Sequence, residues 1–175
     1  MKYLFTALFF LGLTSFLVSA EEAPHAGPVS LSFGDVESFR DFEYQGFSET
    51  RSVKPFTREL NRYFKRVAPR YLGDHTLEIH FSDIDLAGDI QPWRNRYNRD
   101  IRYVESIYPP RAEFTYTLRD AQGNIVQEDA AKLIDLGFDF KFSLRIRHEP
   151  FFYEQEMLRS WMRQTIRPLV RGEAS

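Results

Sequence analysis

The chain has 175 residues, of which 43% are hydrophobic and 16% aromatic, with a formal net charge of −2 and no cysteine. The aromatic content excludes a simple disordered chain. Without cysteine, we expect no disulfide, no thiol catalysis, no zinc–cysteine site and no bacterial lipoprotein anchor. These quantities do not identify a reaction or a ligand.

Residues 1–20 are predicted to be a secretory signal peptide. Lys2 gives a positive start, an apolar run follows, and Val18 and Ala20 are small residues where a signal peptidase cleaves. The run is too short and wrongly flanked for a membrane span. We therefore expect a periplasmic or secreted protein without a transmembrane span after cleavage, beginning with a flexible stretch over residues 21–28.

A strand and a helix are predicted next. Apolar and polar residues alternate over residues 29–33, which predicts a strand. An apolar stripe at helical spacing over residues 56–67 predicts a helix. Pro55 suits its first turn and Pro69 its end.

A second strand is predicted over residues 77–86, where alternation slips phase and indicates a bulge near Ser82 and Asp83. Residues 91–111 follow without a clear period. An irregular segment of this length inside a domain is uncommon and often functional.

Two further strands are predicted over residues 112–118 and 125–136, joined by a hairpin loop at residues 120–124. Residues 138–147 alternate strictly and predict another strand or an extended edge. A last helix is predicted from about residue 151 to 167.

The element order is β-α-β-β-β-α, with a possible fifth strand. We therefore predict an α+β fold in which an antiparallel sheet of four to five strands carries two helices on one face. One domain is predicted over residues 29–168, with Pro168 ending the last helix and residues 169–175 forming a C-terminal tail.

Several segments together give the chain a resemblance to a known family. They are Asp83-Ile-Asp85-Leu-Ala-Gly88, Pro92-Trp93, Ile107-Tyr-Pro-Pro-Arg111, and Tyr153-Glu154 before Leu158 and Trp161. Over about residues 29–167 the chain resembles the bacterial family known as domain of unknown function 3016, small exported proteins of Gram-negative bacteria. The resemblance implies a periplasmic or secreted address and no assigned activity. More loosely, the element order is similar to that of small periplasmic accessory modules.

Asp83, Asp85 and Asp89 form the first candidate cluster. Carboxylates at alternate positions are typical calcium ligands. However, an EF-hand loop that starts at Asp83 would need a glutamate where Arg94 stands. We expect these carboxylates to pair with the arginines just downstream or to cap the strand end, and a divalent-cation binder is kept as an alternative.

Asp83 and Asp85 also suggest a hydrolase as the second alternative. On a regular strand they would lie about 7 Å apart on one face, within the range of glycosidase carboxylates. Trp93 and Tyr108 would then stack a sugar ring. No sequence motif of a hydrolase, metalloprotease or phosphate-binding loop accompanies them.

Arginine is the more informative residue type, with 18 arginines in the whole chain. Basic charge is concentrated in residues 53–70, 91–111 and 150–171. Either acidic loops neutralise these segments inside one fold, or they form a face that binds anions through guanidinium forks. Aromatic residues between arginines also resemble a nucleic-acid surface, but export and negative net charge argue against nucleic acid.

We therefore predict a non-enzymatic periplasmic binding or accessory module. Its partner is expected to be an envelope protein or an anionic glycan or lipid headgroup. No catalytic residue, cofactor or metal is assigned. The predicted recognition surface consists of Asp83, Asp85, Trp93, Arg94, Tyr108 and Arg111.

Overall fold

The computed structural model describes residues 27–95, 97, 99–140 and 149–172. The signal peptide predicted over residues 1–20 and most of the stretch 21–28 lie outside the described residues. The strands are β1 (Val29–Phe33), β2 (Thr76–Asp85), β3 (Asp89–Ile90), β4 (Arg102–Tyr103), β5 (Arg111–Arg119) and β6 (Ile125–Ile134). The α-helices are α1 (Glu49–Val67), α2 (Pro69–Leu72), α3 (Phe152–Trp161) and α4 (Arg167–Val170).

The main sheet has four strands in the order β1-β2-β5-β6, and the α+β class is confirmed. The prediction of a wholly antiparallel sheet is wrong, because β1 runs parallel to β2, with Val29 opposite Leu77. The helix α1 lies between these strands in sequence. Such a helix returns the chain to the end of the sheet from which it left, and this produces a parallel pair. β5 pairs antiparallel with both β2 and β6.

The predicted bulge in β2 and the predicted hairpin between β5 and β6 are both confirmed. The register of β2 against β5 shifts between Phe81 and Asp83. In the hairpin between β5 and β6, Asp120 Oδ1 accepts the amides of Gln122 and Asn124 at 2.9 and 2.8 Å. A separate pair of short strands is formed by β3, which immediately precedes the segment predicted to be irregular, and β4, which lies inside it.

The helices pack on one face of the main sheet, as predicted. The ring of Phe56 in α1 meets the ring of Phe81 in β2 at 6.0 Å. The indole of Trp161 in α3 meets Phe114 and Tyr116 of β5 at 4.8 and 5.1 Å. Edge-to-face contacts of this kind add to the apolar burial that stabilises the core.

The helix α1 begins at Glu49, so Pro55 lies inside the helix and not in its first turn. The buried Ser52 explains the earlier start. Its Oγ accepts the amide of Tyr44 at 3.0 Å and donates to the carbonyl of Ser48 at 3.0 Å. These bonds tie the first turn of the helix to the preceding loop.

The C-terminal helix also extends beyond its predicted end at Pro168. After α3 the chain makes a π-helical turn over Met162–Ile166, in which the amide of Arg167 bonds to the carbonyl of Met162. Pro168 then lies in the first turn of α4, where a missing amide costs nothing. The helix therefore continues to Val170.

The strand predicted over residues 138–147 is wrong at its start, where Phe138–Phe140 form a 3-10 turn. Phe138 is buried against Tyr153, with ring centroids 5.0 Å apart, and this tertiary contact outweighs the alternating pattern. Residues 141–147 lie outside the described residues. No helix in the described part of the chain is both long and apolar enough to span a membrane.

Candidate functional site

Five of the six predicted site residues separate into two groups in the structure. Asp83, Asp85 and Arg111 lie together, where β2 ends beside the start of β5. Trp93 and Arg94 lie on a turn after β3. Tyr108 belongs to neither group. Its carbonyl accepts the amide of Gly88, between β2 and β3, at 3.0 Å.

In the first group, arginines contact both aspartates. Arg40, which the sequence analysis did not select, donates its amide to Asp83 at 2.8 Å and lies 3.6 Å from the same carboxylate through its guanidinium. It also approaches Asp85 at 3.9 Å. Arg111 lies 3.6 Å from Asp85 on the neighbouring strand. The contact with Arg111 agrees with the expected pairing to downstream arginines, whereas Arg40 lies upstream and was not expected.

Asp85 is only partly accessible. Burial, followed by the neighbouring carboxylate of Asp41, raises the pKa of Asp85 above its ordinary value, although Arg111 and Arg40 oppose the rise. Because Asp85 is half-buried beside two arginines, its main interaction is ion pairing.

The cation site that was kept as an alternative does not assemble among the described residues. Among the described residues, no three His, Cys, Asp or Glu side chains are placed to hold a metal ion. Asp89 forms part of β3, where it pairs with Tyr103 of β4. Asp83, Asp85 and Asp89 therefore do not converge on one point, as a calcium site would require.

The second group presents an exposed indole beside an oriented guanidinium. Trp93 is 73% exposed. Arg94 lies 2.9 Å from Glu105, and its guanidinium stacks over the ring of Tyr103 at 4.8 Å. A turn holds the pair in place, because the amide of Arg94 donates to the carbonyl of the buried Gln91 at 3.1 Å.

Arg102 of β4 is a residue that the sequence analysis counted but did not single out. Its two terminal nitrogens bind both oxygens of Asp41 at 2.8 and 2.7 Å. They also donate to the carbonyls of Gly88 and Glu43 at 2.9 and 2.7 Å. Its side chain is only 15% exposed. Arg102 thus clasps β4 to two other segments, residues 41–43 and the chain at Gly88. The irregular spacing of residues 91–111 gave no sign of this contact.

The close approach of β4 explains why position 88, just after β2, is a glycine. Its φ of +84° is in the left-handed region, and a Cβ there would lie 2.5 Å from the carbonyl oxygen of Tyr103. Only glycine permits this approach of β4.

A cleft of about 240 Å³ opens beside this contact. Its lining includes Tyr44, Leu86, Ala87, Arg102, Phe151 and Glu154. None of the six predicted site residues lines it. Glu154 is buried and accepts the amide of Ala87 at 2.7 Å. Burial raises the pKa of Glu154 above its ordinary value, and the hydrogen bond from Ala87 only partly offsets this.

A signal for Glu154 was present in the sequence. It falls four and seven residues before Leu158 and Trp161, on the apolar stripe of α3. A carboxylate at a core position needs a partner, and buried carboxylates of raised pKa are concentrated at functional sites.

Three of the four segments that carried the family resemblance, residues 83–88, 107–111 and 153–154, meet at this corner of the fold. Asp85 contacts Arg111, the amide of Gly88 bonds to the carbonyl of Tyr108, and the amide of Ala87 bonds to Glu154. Their shared chemistry is therefore structural: they join the end of β2 to the start of β5 and to α3.

Comparison with known proteins identifies a family and nothing closer. A family model described as "Protein of unknown function (DUF3016)" matches residues 27–164. No curated protein and no solved structure matches the chain.

Proposed function

Because this chain belongs to the DUF3016 family, whose description assigns no activity, its role has to come from its own residues, and we propose that it is an exported, non-enzymatic binding or accessory module. Its ligand would be an anionic component of the bacterial envelope or a partner protein there. The recognition surface would be the Trp93–Arg94 turn, extended by Arg111 beside Asp85.

The exposure of Trp93 carries the proposal. An indole that is 73% exposed leaves a large apolar surface in water, whereas aromatic side chains of this size are normally buried or engaged. Tryptophan is among the commonest energetic anchors of protein interfaces. Its turn is held by the buried Gln91, so the indole projects from ordered backbone.

The neighbouring arginine supports an anionic ligand. The ring of Tyr103 and the carboxylate of Glu105 hold Arg94, yet its side chain stays 44% exposed. A guanidinium has five donors in a fixed fork, and one fixed by a ring and a carboxylate is already oriented for a phosphate or a carboxylate. Arg111 is likewise 43% exposed beside Asp85.

A hydrolase that uses Asp83 and Asp85 has less support. Both carboxylates lie within ion-pair distance of Arg40, and neither lines the cleft. A pair of carboxylates working as acid and base would need different protonation states around an accessible bond.

Crosslinking in intact cells tests the proposal. A photoreactive amino acid would replace the exposed Pro92, beside Trp93, in one strain and the exposed Gln122 of the hairpin in another. We expect a discrete adduct from position 92 that is lost in Arg94→Ala/Arg111→Ala, while the matched double change Arg66→Ala/Arg163→Ala on the helices retains it. Unfolding midpoints of all variants would separate lost binding from lost folding.

Equal crosslinking from both positions, or an adduct that survives Arg94→Ala/Arg111→Ala in a folded protein, would show that the recognition surface lies elsewhere. The address is tested separately. Osmotic-shock fractionation should release the protein with the periplasmic contents, and sequencing of its N-terminus should begin at Glu21. Retention in the spheroplast would refute export.

A further inference from the structure

The outer edge of the main sheet is formed by β6, which is ten residues long. In the part of the chain that the structure describes, β6 has a strand neighbour on one side only, β5. An edge of this length offers a row of backbone donors and acceptors to another strand. Three apolar side chains of β6, those of Ile125, Val126 and Ile134, are 39–52% exposed.

One backbone amide already shows where the edge points. The amide of Ala130 donates to the carboxylate of its neighbour Asp129 at 2.8 Å. A local bond of this kind satisfies an amide that lies outside the ladder with β5. Since alternate residues of a strand point their amides to the same side, the amides of Glu128 and Lys132 also face this edge.

One face of β6, which carries the even-numbered residues, is complementary to itself when the strand is read in the opposite direction. If Ala130 is placed opposite its own copy, Glu128 lies opposite Lys132, and Val126 lies opposite Ile134. The opposed pairs are then one small residue with itself, one acid with one base, and two apolar residues. Directly opposite residues of an antiparallel pair contact each other, so the acid and the base in each of the two Glu128–Lys132 pairs attract each other. The Val126–Ile134 pairs bury apolar surface, and the small Ala130 pair lets the strands approach without a clash.

The orientation of the side chains agrees with this register. Glu128 and Lys132 pair with Thr117 and Glu113 of β5, so both project from the face of the sheet that α1 and α3 leave uncovered. Lys132 contacts Glu113 at 2.8 Å, but its side chain is 78% exposed, so it remains accessible from the edge.

We propose that β6 pairs antiparallel with β6 of a second copy of this chain, about a two-fold axis through Ala130. Glu128 would then contact Lys132 of the partner subunit, and the same contact would repeat on the other side of the axis. The two four-stranded sheets would become one sheet of eight strands. This interface is separate from the Trp93–Arg94 turn, so it stands or falls independently of the proposed function.

Charge exchange between the two positions tests the register. Glu128→Lys alone and Lys132→Glu alone each place like charges opposite each other twice, and we expect either change to weaken the dimer by about ten-fold or more. Mixing the two single variants restores both contacts in a heterodimer, and combining both changes in one chain restores the homodimer. Sedimentation velocity over a dilution series measures all four, with the wild type expected to double its mass on concentration.

A second variant protects the test from damage to the fold. Lys132→Glu also removes the contact with Glu113, whereas Ala130→Pro removes an edge amide that the ladder with β5 does not use. We expect Ala130→Pro to be folded and monomeric. Three results would overturn the proposal: a monomeric wild type, a dimer that the single variants leave intact, or a mixture of the single variants that does not associate. A monomeric wild type is the result expected if residues 141–148 or another protein cover the edge.

Discussion

Replacement of Arg102 should destabilise the fold more than replacement of any exposed arginine. Arg102→Met keeps the length of the side chain and removes the fork that binds Asp41, Gly88 and Glu43. Removal of one partner of a buried ion pair costs about 3–5 kcal/mol, because the other charge remains desolvated. The carboxylate of Asp41 is 27% exposed and retains some contact with water, so we expect a loss near the lower limit, about 3 kcal/mol.

Urea unfolding, followed by tryptophan fluorescence and circular dichroism, measures this loss. For a chain of this size, about 3 kcal/mol corresponds to a fall in Tm of roughly 6–12 °C. Arg66→Met is the matched control. Arg66 is 56% exposed and lies 3.8 Å from an exposed glutamate, and we expect its replacement to cost less than about 1 kcal/mol.

The double variant Asp41→Asn/Arg102→Met separates the ion pair from other effects. If the clasp is the cause, the double change should cost clearly less than the sum of the single changes, because each single change already removes the pair. Equal losses for Arg102→Met and Arg66→Met, or strict additivity with Asp41→Asn, would refute the reasoning.

Three further outcomes follow from the structure. Glu154→Gln should stabilise the protein at pH 8 and lose that advantage towards pH 4. Because the pKa of Glu154 is raised in the folded state, the stability of the wild type falls as pH rises above the ordinary carboxyl value of 4.5. A difference in unfolding free energy that does not depend on pH would contradict this. Gly88→Ala should lower the unfolding free energy by about 3 kcal/mol or more. Gly123 has nearly the same φ but open space where a Cβ would lie, so Gly123→Ala should cost only about 1–2 kcal/mol. Equal losses in chemical denaturation would exclude the close approach of β4 as the cause. Phe56→Ala should cost about 3–5 kcal/mol, because four aromatic rings contact its side chain in the core, and a fall in Tm of only a few degrees would indicate that the core refills the cavity.

Local periodicity predicted the elements whose partners are close in sequence. The slip of phase at Ser82 and Asp83 identified a real bulge, and residues 120–124 identified a real hairpin, since both depend on neighbouring residues. The direction of β1 was predictable in principle from the helix that follows it. The 3-10 turn at Phe138 was not, because it depends on a contact with the distant Tyr153.

The candidate site was only partly accessible to sequence reasoning. Pairing of Asp85 with arginine was predicted, and Arg111 was selected as a site residue. The clasp of Arg102 was missed because its acceptors, Asp41 and two backbone carbonyls, lie 14–61 residues away in sequence. Which of the five arginines in residues 91–111 becomes buried depends on tertiary packing, and residue type does not encode it.

The parallel pairing of β1 with β2 has a consequence for how the chain folds. Val29 pairs with Leu77, so β1 can join only after the intervening chain, including α1, has closed into a loop. The hairpin of β5 and β6 closes through five residues, and such local contacts form much faster. We therefore expect folding to begin in the C-terminal half of the sheet and β1 to be added late. β1, which is synthesised before the other strands, would therefore be the last strand to join the sheet.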